Sequence, residues 1–75
     1  MKITETQKEI LTTVDAKTPW TASELAEEFN SKAGPMARAA NSLIEKGLLR
    51  AKTDRDDITS YTRTAEGGKI AKTLN

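Results

Sequence analysis

The chain has 75 residues, with 12 lysines and arginines against 11 aspartates and glutamates for a net charge of +1, enough for one domain over residues 1–75 whose folding buries about 60% of the unfolded surface. It contains no cysteine and no histidine, which excludes disulfide scaffolds, thiolate nucleophiles, ordinary zinc sites and the usual general base of hydrolases, so no catalytic residue, metal or cofactor is expected. No segment is apolar for long enough to act as a signal peptide or to span a bilayer, and the expectation is a soluble protein of a reducing cytoplasm with no membrane partner.

Ile10, Leu11 and Val14 form an apolar stripe behind Thr6, and Glu9 three residues further on completes the pattern of a capping box, which predicts a first helix. Asp15-Ala16-Lys17-Thr18-Pro19 ends it, because Pro19 lacks an amide proton and disfavours helical backbone at Thr18. Thr21-Ala22-Ser23-Glu24 is a second capping box, and Ala22, Leu25, Ala26 and Phe29 follow the spacing of a short amphipathic helix. Asn30 to Gly34 then supply a turn. Pro35 suits the first position of a third helix and Gly47 the left-handed position past its end, so that helix is predicted over 35–46.

Within the third helix Met36, Ala39, Ala40, Leu43 and Ile44 share one face. At about 100° per residue the opposite direction belongs to Arg38, Asn41 and Glu45, with Ala37 and Ser42 on its flanks. An arginine can donate two hydrogen bonds to guanine, an asparagine can pair similarly with adenine, and small neighbours let a helix sink into the major groove. Taken alone, the same residues would describe a solvated helix face. Leu48 to Lys52 and Thr59 to Arg63 read as two strands, with Thr53 to Ile58 turning between them on aspartates that bond nearby backbone. Gly67, Ile70, Ala71 and Leu74 continue as a last helical stripe.

Charge is unevenly distributed along this order. Residues 1–30 carry three lysines against six acids, a net −3, whereas residues 31–75 carry nine cations against five acids, a net +4. The basic excess therefore falls on the third helix, the hairpin and the tail, as an electrostatic footprint for phosphate should. Small domains can also acquire such asymmetry by chance.

The succession of a capping box, a small-residue turn, Glu45-Lys46-Gly47-Leu48-Leu49-Arg50, a charged hairpin and Thr64-Ala65-Glu66-Gly67 resembles a winged helix-turn-helix. It is most similar to the minimal core of the MarR-type transcription regulators. The resemblance covers nearly the whole chain and implies a mainly α fold with a small β-hairpin: three core helices, a β-wing, a short C-terminal helix and a very short strand at Trp20 that pairs with the wing. It also implies a regulator of transcription that binds double-stranded DNA. The third helix would read bases through Arg38 and Asn41, with Ala37 and Ser42 close by. Lys32, Lys46, Arg50, Lys52 and the wing-tip Arg55 would position the backbone.

Two positions depart from the family pattern. Thr59 stands where a second wing arginine would fall, and Arg63 replaces the buried leucine usual before the terminal threonine. Asp54, Asp56 and Asp57 surround Arg55 and oppose its approach to phosphate, so the wing's hold on DNA is expected to be weak. Full-length members also carry long flanking helices that dimerise and shape a ligand pocket; with only a short tail after the hairpin, ligand sensing is not expected to carry over. Asp54-Arg55-Asp56-Asp57 lacks the central glycine and distal glutamate of a calcium loop, and Gly67-Gly68-Lys69 lacks the spacing of a phosphate loop. The alternative is a protein-interaction winged helix, an adaptor or an inhibitor of a transcription or host complex, which the modest net charge favours. Either use leaves room for a homodimer or a protein partner.

Overall fold

A computed structural model describes residues 3–74. Its elements are α1 (Glu5–Thr13), β1 (Trp20–Thr21), α2 (Ala22–Glu28), α3 (Ala33–Glu45), β2 (Leu49–Thr53), β3 (Thr59–Arg63) and α4 (Ala65–Leu74). The strands form an antiparallel sheet in the order β1-β3-β2, so the hairpin predicted as the wing gains the short third strand expected at Trp20. The fold is a winged helix. Among the described residues no helix is long and apolar enough to cross a membrane.

α1 starts earlier than the sequence pattern suggested. The capping box is Thr4 with Gln7, not Thr6 with Glu9: the Thr4 hydroxyl accepts the Gln7 amide at 3.2 Å and the Gln7 side-chain oxygen accepts the Thr4 amide at 3.3 Å. Gln7 is buried and Glu9 exposed. A neutral amide closes the box while lying in the buried layer, where a carboxylate would have to be desolvated. The second box forms as read, with Thr21 and Glu24 bonding each other's backbone at 2.8 and 3.1 Å.

Two left-handed exits shape the helix-turn-helix. Asn30 leaves α2 at φ 52, and Ser31 N–H reaches back to the Ala26 carbonyl at 2.8 Å; this is the Schellman pattern, which asparagine tolerates. α3 then begins at Ala33 with Lys32 as its N-cap, two residues ahead of the predicted start, and Pro35 takes the third helical position. Proline is tolerated there because the first amides of a helix have no intrahelical acceptor; Met36 is the first to bond back, to the Lys32 carbonyl at 3.3 Å. At the other end Gly47 sits at φ 78. Its N–H donates to Ile44 and the Leu48 N–H to Leu43, each at 2.9 Å. Leu48 thereby stays with the helix exit, and β2 starts one residue later than expected, at Leu49.

The apolar stripes of the three helices meet with the sheet around Ile10, Leu11, Leu25, Leu43, Leu48 and Tyr61. Trp20 pairs with Tyr61 across β1 and β3 and packs half-buried against that core. α4 closes the wing base. Thr64 caps it by accepting the Gly67 amide at 3.0 Å, while its hydroxyl donates to the Gly47 carbonyl at 2.7 Å. A methyl group at Gly67 would be driven into the Leu48 carbonyl oxygen, so only glycine lets α4 approach the α3 exit this closely.

Candidate nucleic-acid interface

Packing fixes the rotational phase of α3. Met36, Ala40 and Leu43 are buried, while Arg38, Asn41 and Glu45 are exposed, which places the arginine and the asparagine side by side on the solvent face, three residues apart. Ala37 and Ser42 are half-buried on opposite margins of that face. The Ser42 hydroxyl accepts a hydrogen bond from the Lys46 ammonium at 3.0 Å. Lys46, the C-cap of the helix, is thus folded back along α3. Lys32 is exposed at the other end and makes no capping bond through its side chain.

The register of the wing sorts its cations. Leu49 pairs with Arg63, Arg50 with Thr62, Ala51 with Tyr61, Lys52 with Ser60 and Thr53 with Thr59. Because strand side chains alternate, the buried Tyr61 assigns Ala51, Thr53, Thr59 and Arg63 to the core-facing side. Arg50, Lys52, Ser60 and Thr62 fall on the opposite, solvent-facing side. Arg50 and Lys52 are exposed there; Ser60 and Thr62 are half-buried.

The wing tip is ordered by its aspartates. The Asp54 carboxylate accepts the amides of Asp56 at 2.9 Å and Ile58 at 3.0 Å. Asp54 N–H donates to the Ile58 carbonyl at 3.0 Å, Asp57 N–H to the Asp54 carbonyl at 3.2 Å, and Asp57 takes a left-handed conformation at φ 61. This is a three-residue hairpin loop of the kind built on a turn followed by a left-handed residue. It holds Arg55 exposed at the apex and leaves Ile58 49% exposed beside it. One of the three carboxylates that flank Arg55 is therefore a turn-forming group.

Arg63 does not join the solvent-facing cations. Its guanidinium donates to the Leu11 carbonyl at 3.1 Å and its backbone N–H to the Asp15 carbonyl at 3.0 Å, tying the wing base to the C-terminus of α1, where a cation satisfies an unpaired helix carbonyl. Asp15 in turn accepts the amides of Thr18 at 2.6 Å and Lys17 at 2.8 Å. Those bonds, with a smaller contribution from the nearby Arg63 charge, hold its carboxyl below the ordinary value. Burial pushes the Tyr61 hydroxyl in the other direction, above its ordinary value. Ser60 and Thr62 were not singled out by sequence; the signal that finds them is the pairing register, fixed only once the buried position of Tyr61 is known.

Residues 3–58 match the sequence model of the MarR family. Among solved structures, the transcriptional regulator BldR from Sulfolobus solfataricus superimposes with a TM-score of 0.88 at 23% identity, over 100% of this chain and 55% of its own. The adhesin competence repressor AdcR from Streptococcus pyogenes gives 0.85 at 27% identity, over 97% and 54%. MepR from S. aureus, solved in a complex with DNA, gives 0.85 at 18% identity, over 96% and 61%. The chain thus spans between half and two thirds of the length of these structures. No curated protein matches the sequence. With well over half of its residues matched by the family's sequence pattern, the chain belongs to the MarR family.

Proposed function

We propose that this protein binds double-stranded DNA sequence-specifically and regulates transcription, reading the major groove with α3. The observation that carries the reading is the pair Arg38 and Asn41, exposed together on the α3 face opposite Met36, Ala40 and Leu43. Arginine and asparagine are the residue types that commonly make two-point contacts to guanine and to adenine. Ala37 and Ser42 border them, and Lys32, Lys46, Arg50, Lys52 and Arg55 supply charge for the backbone. Support comes from family membership and from the likeness to MepR, which has been solved on DNA.

Selection from a random duplex library followed by sequencing tests the proposal. An enriched motif that Arg38→Ala and Asn41→Ala each relax at one position is the expected result. No enrichment, together with recovery of a specific protein partner, would establish the adaptor reading instead.

A further inference from the structure

The solvent face of the wing carries a repeat that the base-reading helix does not explain. Two cross-strand pairs stand on it in succession, Arg50 with Thr62 and Lys52 with Ser60. Each joins a cation to a hydroxyl, with directly opposed Cβ atoms about 5 Å apart. Successive same-face positions on a strand are about 7 Å apart, a spacing of the same order as that between neighbouring phosphates along one DNA strand. On the core-facing side the hydroxyls of Thr53 and Thr59 bond each other at 2.9 Å; among the described residues Ser60 and Thr62 have no such partner. The repeat is bounded at both ends. One step toward the base Leu48 is buried, and one step toward the tip stands Asp54, a carboxylate held in the turn.

We propose that the wing lies along one DNA strand and grips two consecutive phosphates, the first between Arg50 and Thr62 and the second between Lys52 and Ser60. In each grip the cation neutralises the phosphate while the hydroxyl donates a hydrogen bond to one of its oxygens. Asp54 limits the run to two, because a third phosphate at that spacing would face a carboxylate. The proposal assumes the DNA-binding reading above and adds a stoichiometry, an orientation of the wing and two residues, Ser60 and Thr62, to it.

The test is a scan of the selected duplex with single neutral methylphosphonates, read by binding titrations of the wild type and of Arg50→Ala, Lys52→Ala, Ser60→Ala and Thr62→Ala, each checked for folding by thermal melting. Two adjacent positions on one strand should each weaken wild-type binding by about five-fold or more. Arg50→Ala should remove most of the sensitivity at one of them and Thr62→Ala should reduce it, and Lys52→Ala and Ser60→Ala should do the same at its neighbour. The two cation variants should each reduce the salt slope by about 0.9, while the two hydroxyl variants weaken binding and leave the slope unchanged. Sensitive phosphates that are not adjacent, or whose sensitivity survives all four substitutions while Arg38 still sets the sequence preference, would overturn the two-phosphate grip alone. Absence of salt-dependent binding to any duplex would overturn the DNA reading itself.

Discussion

Arg38→Ala should weaken binding to the preferred sequence by about 1 to 3 kcal/mol and relax base choice at one position, because a two-point contact to a base carries information that a phosphate contact lacks. Asn41→Ala should behave alike, whereas Lys52→Ala should weaken good and poor sequences equally. Leu43→Ala should act by unfolding: its fully buried side chain leaves a cavity, at a loss of roughly 2 to 5 kcal/mol. Binding and thermal melting of these four variants test the phase of α3, and retention of full affinity and preference by both folded face variants would remove α3 as the reading element. A different residue governs acid stability. Since Asp15 titrates below its ordinary value in the fold, chiefly through the Thr18 and Lys17 amides, its contribution is complete above the unfolded carboxyl value near 3.8 and disappears as pH falls through the lower folded value. The melting-temperature gap between wild type and Asp15→Ala should therefore be constant near neutrality and narrow in acid. A gap that widens on acidification would contradict the assignment.

The elements are joined at the α3 exit, where Gly47, Leu48, Thr64 and Gly67 link helix, wing and α4. Gly47→Ala should destabilise by about 1 to 2 kcal/mol, the strain of a left-handed non-glycine residue. Gly67→Ala should destabilise more, by about 3 kcal/mol, because its methyl meets backbone at Leu48 and the stem of Arg63. Chemical denaturation ranks the two, and equal effects would mean that α4 moves away freely. Much of this arrangement is legible in the sequence. The box at Thr21 and Glu24, the left-handed Gly47, the β3 span and the α4 stripe follow from short-range rules in which a residue and its partner lie within a turn of each other. What escaped was set by choices between equivalent local patterns or by distant neighbours. Thr4 with Gln7 and Thr6 with Glu9 offer the same box, and burial of Gln7 decides between them. Arg63 is legible in the sequence only as a cation where the resemblance implies a buried leucine; the register turns it to the core side, and the Leu11 carbonyl, 52 positions away in sequence, receives it. The same register is what separates Arg50 and Lys52 from it and sets Ser60 and Thr62 beside them.

At the scale of the whole molecule, the proposed binding to a polyanion must be reconciled with a net charge of +1, and segregation of the charges reconciles them. Arg63 is engaged at the α1 terminus and the cations of α3 and the wing are exposed or half-buried, so roughly four of them can neutralise phosphates. Affinity should then fall with salt at a log-log slope of about −3 to −4, and a flat titration between low and physiological salt would argue against DNA as the main partner. Area sets a further condition. A single module of this size buries only on the order of 600 to 1,000 Å² on DNA, which limits the selectivity of a lone copy and favours two copies on adjacent half-sites. The apolar surface we assign to pairing is that of Ile3, just before α1, and of Ile70 and Leu74 on α4, which pack against the core and remain half-exposed; α1 and α4 are in contact. Burying their outer parts against a second copy removes apolar area from water without disturbing α3 or the wing. Sedimentation of the protein with and without duplex should accordingly show two copies per site at saturation, and Ile70→Asp should abolish the second binding event while leaving the first intact. One copy per duplex at saturating protein, combined with high sequence selectivity, would mean that the area argument fails and that a single α3 and wing suffice.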